Sequence, residues 1–178
     1  MKLFLNNYFS VRFINFWAFL IIIILLSAAM VLQKFIGLEP CPLCIAQRII
    51  FFGLGILFLI GIFLPTSVWT RRIHSLLILI MALLGVLLAA RQIWIRHLPP
   101  GHIPPCAADF YYMVKYFPFK QTLLALIQGT AECTKDTWTL FGIDLPTWSL
   151  LWFVFFMMVG VYQLYVVRMS AVPKSKDI

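Results

Sequence analysis

Four long apolar stretches, separated by short polar or charged breaks, dominate the chain. They cover about 13–32, 45–64, 75–95 and 146–167. A helix rising about 1.5 Å per residue needs about 20 apolar residues to cross a hydrocarbon core of about 30 Å. Three stretches meet that length outright. The third is free of charge only from Ser75 to Ala90, and Ile93, Trp94 and Ile95 extend it if Arg91 and Arg96 reach outward to the interface. None shows the in–out alternation of a membrane barrel strand. The pattern predicts one membrane domain over 1–178, an all-α bundle of four transmembrane helices. Two loops, about 33–44 and 91–145, then share one side of the membrane.

The longer loop holds a further pattern. In "FPFKQTLLALIQG", Phe119, Leu123, Leu126 and Ile127 fall on one helical side, with Lys120, Gln121 and Gln128 on the other. Gly129 offers a stop. This predicts a short amphipathic interfacial helix lying on the membrane surface, which would hold Cys133 near the bilayer. At the other end of the chain, Lys2 and Arg12 precede the first stretch, and Ser27-Ala28-Ala29 could pass for a signal-peptidase site. The apolar run continues to Leu32, too long for a signal core, so a retained helix is expected. Trp17, Trp94, Trp148 and Trp152 lie near span ends, where an aromatic belt is expected. Gly85 and Ala89 form a small-xxx-small pair suited to helix packing.

Composition agrees with a membrane reading. The chain is 63% hydrophobic and 11% charged, with a mean hydropathy of +0.98, too little charge for a soluble domain. The net charge of +8 does not indicate a nucleic-acid partner, because the basic residues sit in short flanks between apolar runs. Those flanks set the topology instead. Lys2, Arg12, Arg71, Arg72, Arg168, Lys174 and Lys176 share the side of the termini, within about 33 residues. Lys34, Arg91, Arg96, Lys115, Lys120 and Lys135 are spread over about 67 residues on the other. The denser side should be cytoplasmic, with both termini inside. All four cysteines, Cys41, Cys44, Cys106 and Cys133, then lie outside the cytoplasm, which in a bacterium means the periplasm, where disulfides persist.

The sharpest chemistry is in "EPCPLCIAQR". Cys41 and Cys44 stand two residues apart where the second span begins, so both sulfurs can meet at a helix start. Pro42 suits a first helical turn. Unpaired N–H groups and the helix dipole there stabilise an anion, and thiolate is the reactive form of cysteine. Arg48 follows Cys44 by four residues, on the same helical face. An arginine inside a span costs a few kcal/mol, which makes it a functional candidate, the alternative being an arginine that snorkels to the interface. It is placed to stabilise the Cys44 thiolate or the reduced, anionic form of a small acceptor. Zinc would ask for a second close cysteine pair, and covalent haem for a histidine where Ile45 stands. No metal site is expected.

Cys106 and Cys133 lie in the long outer loop, and a bridge between them would close 28 residues. Spacing alone suits a structural staple as well as a bridge exposed to attack. The proline-rich "HLPPGHIPPCAADF" keeps the backbone around Cys106 extended, able to lie in another protein's groove. His97 and His102 have no third ligand nearby and read as surface residues.

These residues resemble the disulfide bond formation protein B (DsbB) family of bacterial inner-membrane quinone-linked thiol oxidases. The resemblance rests on "PCPLCIAQRI", "ARQIWIRHLPPGHIPPC", "ECTKDTWTLFGIDLPTW" and the four-span layout, and covers nearly the whole chain. Arg96 stands where an uncharged residue such as Gln would be expected. The resemblance implies catalytic disulfides Cys41–Cys44 and Cys106–Cys133. A reduced DsbA-like thioredoxin-fold partner would attack Cys106, and the released Cys133 would attack Cys41. Cys44 would pass electrons to a bound quinone, ubiquinone or menaquinone, beside Arg48. An oxidase resembling vitamin K epoxide reductase would carry its CxxC in the last span, which has no cysteine. A structural adaptor with two inert outer disulfides leaves Arg48 unexplained. A metal transporter would need acidic or histidine ligands within the spans, and the four stretches contain none.

Overall fold

The computed structural model describes residues 2–36, 41–65, 67–99, 115–118, 120, 124, 139–140 and 142–171. Four long helices form the body: α1 Lys2–Ile36, α2 Pro42–Phe63, α3 Val68–Arg96 and α4 Leu145–Ala171. Each contains a segment long and apolar enough to cross a membrane. The fold is therefore an all-α four-helix bundle of membrane-spanning character. The helices overrun several of the apolar stretches: α1 begins at Lys2, α3 at Val68, and α2 three residues before Ile45. Backbone hydrogen bonding continues past the last apolar residue, because a polar residue at a helix end can reach water. The helix expected around 119–129 lies for the most part outside the described residues, as do Cys106, Cys133 and His102.

Most of the apolar surface points outward. Only 17–39% of each candidate span is buried inside the bundle, and Phe63, Trp69, Met30 and Leu87 are all exposed. In water such a surface would drive aggregation, whereas in lipid it is solvated. Between helices, packing must then come from shape and polar contacts. α3 packs most extensively along α4, α2 lies against α1 and α3, and α1 meets α4 over only a short stretch.

The α3–α4 contact follows from a stripe on α3. Ile78, Ala82, Gly85 and Ala89 are buried at helical spacing. A methyl group at Gly85 would overlap the ring of Phe153 on α4. The missing side chain is what lets that ring seat against the α3 backbone. Phe153 stacks in turn on Phe51 of α2, with ring centroids 4.1 Å apart. Phe156 meets Phe58 at 5.6 Å and Trp152 at 6.1 Å. Each such pair contributes about 0.5–1.5 kcal/mol beyond its area.

Two buried polar pairs sit at opposite ends of this aromatic core. Asn15 of α1 accepts from Gln163 of α4 at 2.6 Å, and Gln47 of α2 donates to Gln92 of α3 at 2.7 Å. At the Gln163 end, the imidazole Nε2 of His74 also meets the carbonyl of Leu57 at 2.8 Å. Inter-helix bonds of this kind fix rotation and register where apolar side chains slide freely.

A small antiparallel pairing leads into α4: β1 Thr139–Leu140 and β2 Ile143–Asp144. Gly142 has φ 79°, the left-handed conformation a tight hairpin needs. The turn delivers Asp144 to the start of α4, where its carboxylate accepts from Thr147 Oγ1 at 2.7 Å. Asp144 also receives Arg96 Nη1 at 3.0 Å, which ties the end of α3 to the start of α4. Burial alone would raise the Asp144 carboxyl. The Thr147 hydroxyl, a backbone N–H and the cations Arg96 and His97 outweigh that, and hold it below its ordinary value. The charge at 96, unexpected beside the family pattern, thus has a structural partner.

Candidate active site

The site forms where α1 and α3 end and α2 and α4 begin. Cys41 has extended backbone (φ −64°, ψ 158°) and caps α2, with Pro42 in the first turn. Its Sγ accepts from the Cys44 N–H at 3.4 Å, and its carbonyl accepts from the Ile45 N–H at 3.1 Å. The helix start thus folds one cysteine back over the other. The two sulfurs lie 3.0 Å apart, against about 2.05 Å for a disulfide bond. Leu43 and Ile95 pack around Cys41, which is 2% exposed; Cys44 is more open.

Gln92 completes the thiol environment from α3. Its Nε2 donates to Cys44 Sγ at 3.2 Å and to Cys41 Sγ at 3.5 Å. Gln47 Nε2 holds the Gln92 carbonyl oxygen on the far side of the amide. Neither glutamine stood out in the sequence. The available signal was their position: two amides in the apolar ends of two spans, each costly there without a partner.

Arg48 makes its hydrogen bonds across to the neighbouring helix. It shares a helical face with Cys44, yet its guanidinium bonds to α1: Nη1 to Gln33 Oε1 at 2.5 Å and Nη2 to the Ala29 carbonyl at 3.5 Å. An amide and a carbonyl on the neighbouring helix thus supply acceptors for this half-buried guanidinium.

A partly enclosed cavity of about 310 Å³ opens between α1, α2 and α4, where α1 and α4 part. Cys44, Gln47, Arg48 and Gln92 line it, together with Leu25, Leu26, Phe51, Trp148 and Trp152; Cys41 does not reach it. Trp148 and Trp152 thus form part of the cavity wall. The volume falls in the range of small-molecule sites, with an apolar wall and a few convergent donors. Trp148, Trp152 and the leucines give the apolar wall, and the Arg48 guanidinium is a charged donor on it.

Comparison with known proteins agrees with this geometry. The family model described as disulfide bond formation protein DsbB matches residues 11–163. Disulfide bond formation protein B 1 of Pseudomonas aeruginosa is 38% identical over 146 residues, which span 82% of this chain and 90% of that protein. Disulfide bond formation protein B of Methylobacillus flagellatus is 42% identical over 149 residues, 84% and 90% of the two chains. The protein of that name from Acinetobacter baylyi is 38% identical over 157 residues, 87% and 91%. Matches of this length take in all four helices, the CxxC at the head of α2 and the cavity beside it, and the chain belongs to the disulfide bond formation protein B (DsbB) family.

Proposed function

We propose that the chain is a thiol oxidase of the bacterial inner membrane. It reoxidises a periplasmic, DsbA-like thioredoxin-fold dithiol protein and passes the electron pair to membrane quinone, in support of disulfide bond formation. The observation that carries the reading is Cys44 at the wall of a largely apolar cavity between the long helices, with Arg48 and Gln92 beside it. A sulfur there can meet a lipid-soluble acceptor, while a partner approaches the outer loop from water. The basic flanks support cytoplasmic termini and periplasmic cysteines.

Catalysis begins at a Cys106–Cys133 disulfide. A partner thiolate attacks Cys106 Sγ; a mixed disulfide forms, and Cys133 leaves as thiolate. Cys133 then attacks Cys41 Sγ, and the electron pair of the broken Cys41–Cys44 bond stays on Cys44 Sγ. The partner's second thiolate attacks its own sulfur in the mixed disulfide, so the partner leaves oxidised and Cys106 is freed as thiolate. Cys106 attacks Cys133, which restores the loop disulfide and releases Cys41. The net result is one oxidised partner, two protons and a reduced Cys41/Cys44 pair. Quinone in the cavity would supply a two-electron, two-proton acceptor, through which the Cys41–Cys44 bond is restored. Arg48, Gln47, Trp148 and Trp152 are the residues that would hold it.

The test supplies purified protein in detergent with quinone and excess reduced partner. Quinone absorbance and partner thiols are followed together, for wild type and Cys44→Ser. One quinone consumed per disulfide made, with no turnover in the serine variant, supports the reading. No consumption of either by the wild type, with a partner competent towards another oxidase, overturns it.

A further inference from the structure

The sulfurs of the CxxC take hydrogen bonds from a side chain that lies 48 residues beyond Cys44, 51 beyond Cys41, and on a different helix. Gln92 is fully buried, and its Nε2 bridges both sulfurs, at 3.2 Å to Cys44 and 3.5 Å to Cys41. An amide has two N–H donors on one atom and one acceptor on the other. Gln47, itself 4% exposed, donates to that acceptor at 2.7 Å. With the carbonyl oxygen engaged, the N–H end is the end that faces the sulfurs. The Arg48 guanidinium bonds to Gln33 and Ala29 of α1.

We propose that Gln92 is the catalytic residue that stabilises the sulfur anion of the Cys41/Cys44 pair, and that Gln47 is the positioning residue that keeps its N–H groups aimed at both sulfurs. The inference rests on the reading of this pair as redox-active. When Cys41 Sγ is attacked, the electron pair of the broken bond moves onto Cys44 Sγ, the nearer of the two sulfurs to Gln92. When Cys41 is later released as thiolate, the same amide reaches it without a change of rotamer. A hydrogen bond to an ionised sulfur is stronger than one to a neutral thiol, and stronger again in a buried site. The amide therefore favours the charged form over the thiol at either position. It carries no charge of its own, so it costs an apolar span less than a cation would when the pair is oxidised.

The experiment uses the full-length chain in detergent, with the cysteines reduced. Iodoacetamide alkylation of Cys41 and Cys44 is followed across pH by peptide mass spectrometry, for wild type, Gln92→Met and Gln47→Met. Gln163→Met serves as a control, because it removes a buried amide pair at the far end of the bundle. Gln92→Met should slow alkylation near neutral pH by about ten- to hundredfold, the range for loss of one charge-assisted hydrogen bond, with the whole profile displaced to higher pH. Gln47→Met should displace it the same way by less, and Gln163→Met should leave it in place. An unmoved profile in Gln92→Met overturns the inference, as does an equal displacement in Gln163→Met. If Gln92→Met does not fold, Gln47→Met decides by the same criterion. Quinone turnover by the same wild-type sample separates the two readings. A displaced profile without turnover sinks the proposed function and leaves Gln92 in its role. Turnover with an unmoved profile does the reverse.

Discussion

Arg48 stands one helical turn from Cys44 but bonds to Gln33 across the α1–α2 contact, at 2.5 Å. The arginine therefore links the cavity wall to the neighbouring span. A ligand in the cavity would meet a guanidinium already held in place, which lowers the entropy lost on binding. Arg48→Leu should raise the quinone KM by about tenfold or more while exchange between the partner and Cys106 continues. Separate measurement of quinone turnover and mixed-disulfide formation checks this. Loss of exchange with unchanged quinone use would contradict the assignment.

Gln33→Leu tests the same link from its other end. The guanidinium keeps the Ala29 carbonyl but loses its nearer acceptor. We expect a smaller rise in quinone KM than for Arg48→Leu, with kcat nearly unchanged. Steady-state kinetics in detergent over a range of quinone concentrations would show it. An effect larger than that of Arg48→Leu would mean that Gln33 contacts the acceptor directly.

Gly85→Ala should destabilise the bundle. The added methyl would meet the Phe153 ring, which is itself stacked on Phe51. Overpacking of this kind costs about 1–3 kcal/mol. Thermal unfolding followed by circular dichroism should show a lower midpoint. Gly85→Ala with Phe153→Leu should recover part of the loss, because the smaller side chain vacates the space.

The Arg96–Asp144 contact carries a pH dependence with a defined sign. The Asp144 carboxyl is held below its ordinary value of 3.8, so the folded state binds that proton less readily than the unfolded chain. Its contribution to stability is complete above the ordinary value and is lost as pH falls through the depressed one. Thermal midpoints should therefore change little through this group between neutral pH and about pH 5, then fall at more acidic pH. Asp144→Asn should flatten that acidic fall. At neutral pH it should cost about 1 kcal/mol or less, since both side chains are partly exposed.

The Asn15–Gln163 pair should matter for stability and not for thiol chemistry. Gln163→Leu leaves the Asn15 side chain without its α4 partner, at a cost of about 0.6–2 kcal/mol. Unfolding midpoints in detergent measure the cost. The alkylation rates of Cys41 and Cys44 should be unaffected.

Several features were open to reading along the chain because their causes are local or periodic. Apolar run length determines that four helices are long enough to cross a bilayer. Proline after Cys41 marks a helix start, which brings the two sulfurs of one turn together. Small residues at 85 and 89 mark a close helix contact, though not which ring fills it. Helix ends were harder, since hydrogen bonding carries α1 and α3 well past their apolar stretches.

The chain by itself determined the four apolar spans, the all-α class, the cysteine pair at the head of α2 and the helical face shared by Cys44 and Arg48. Those follow from backbone geometry and from hydrophobic length over a few neighbouring turns. Tertiary structure alone decided that Gln92 reaches both sulfurs, that Gln47 holds it, that Arg48 turns to Gln33 and that Arg96 finds Asp144. Each of these joins residues 15 to 51 positions apart, so it depends on how one helix is rotated against the next. A polar side chain in an apolar span announces that it needs a partner, but packing against all its neighbours chooses which one.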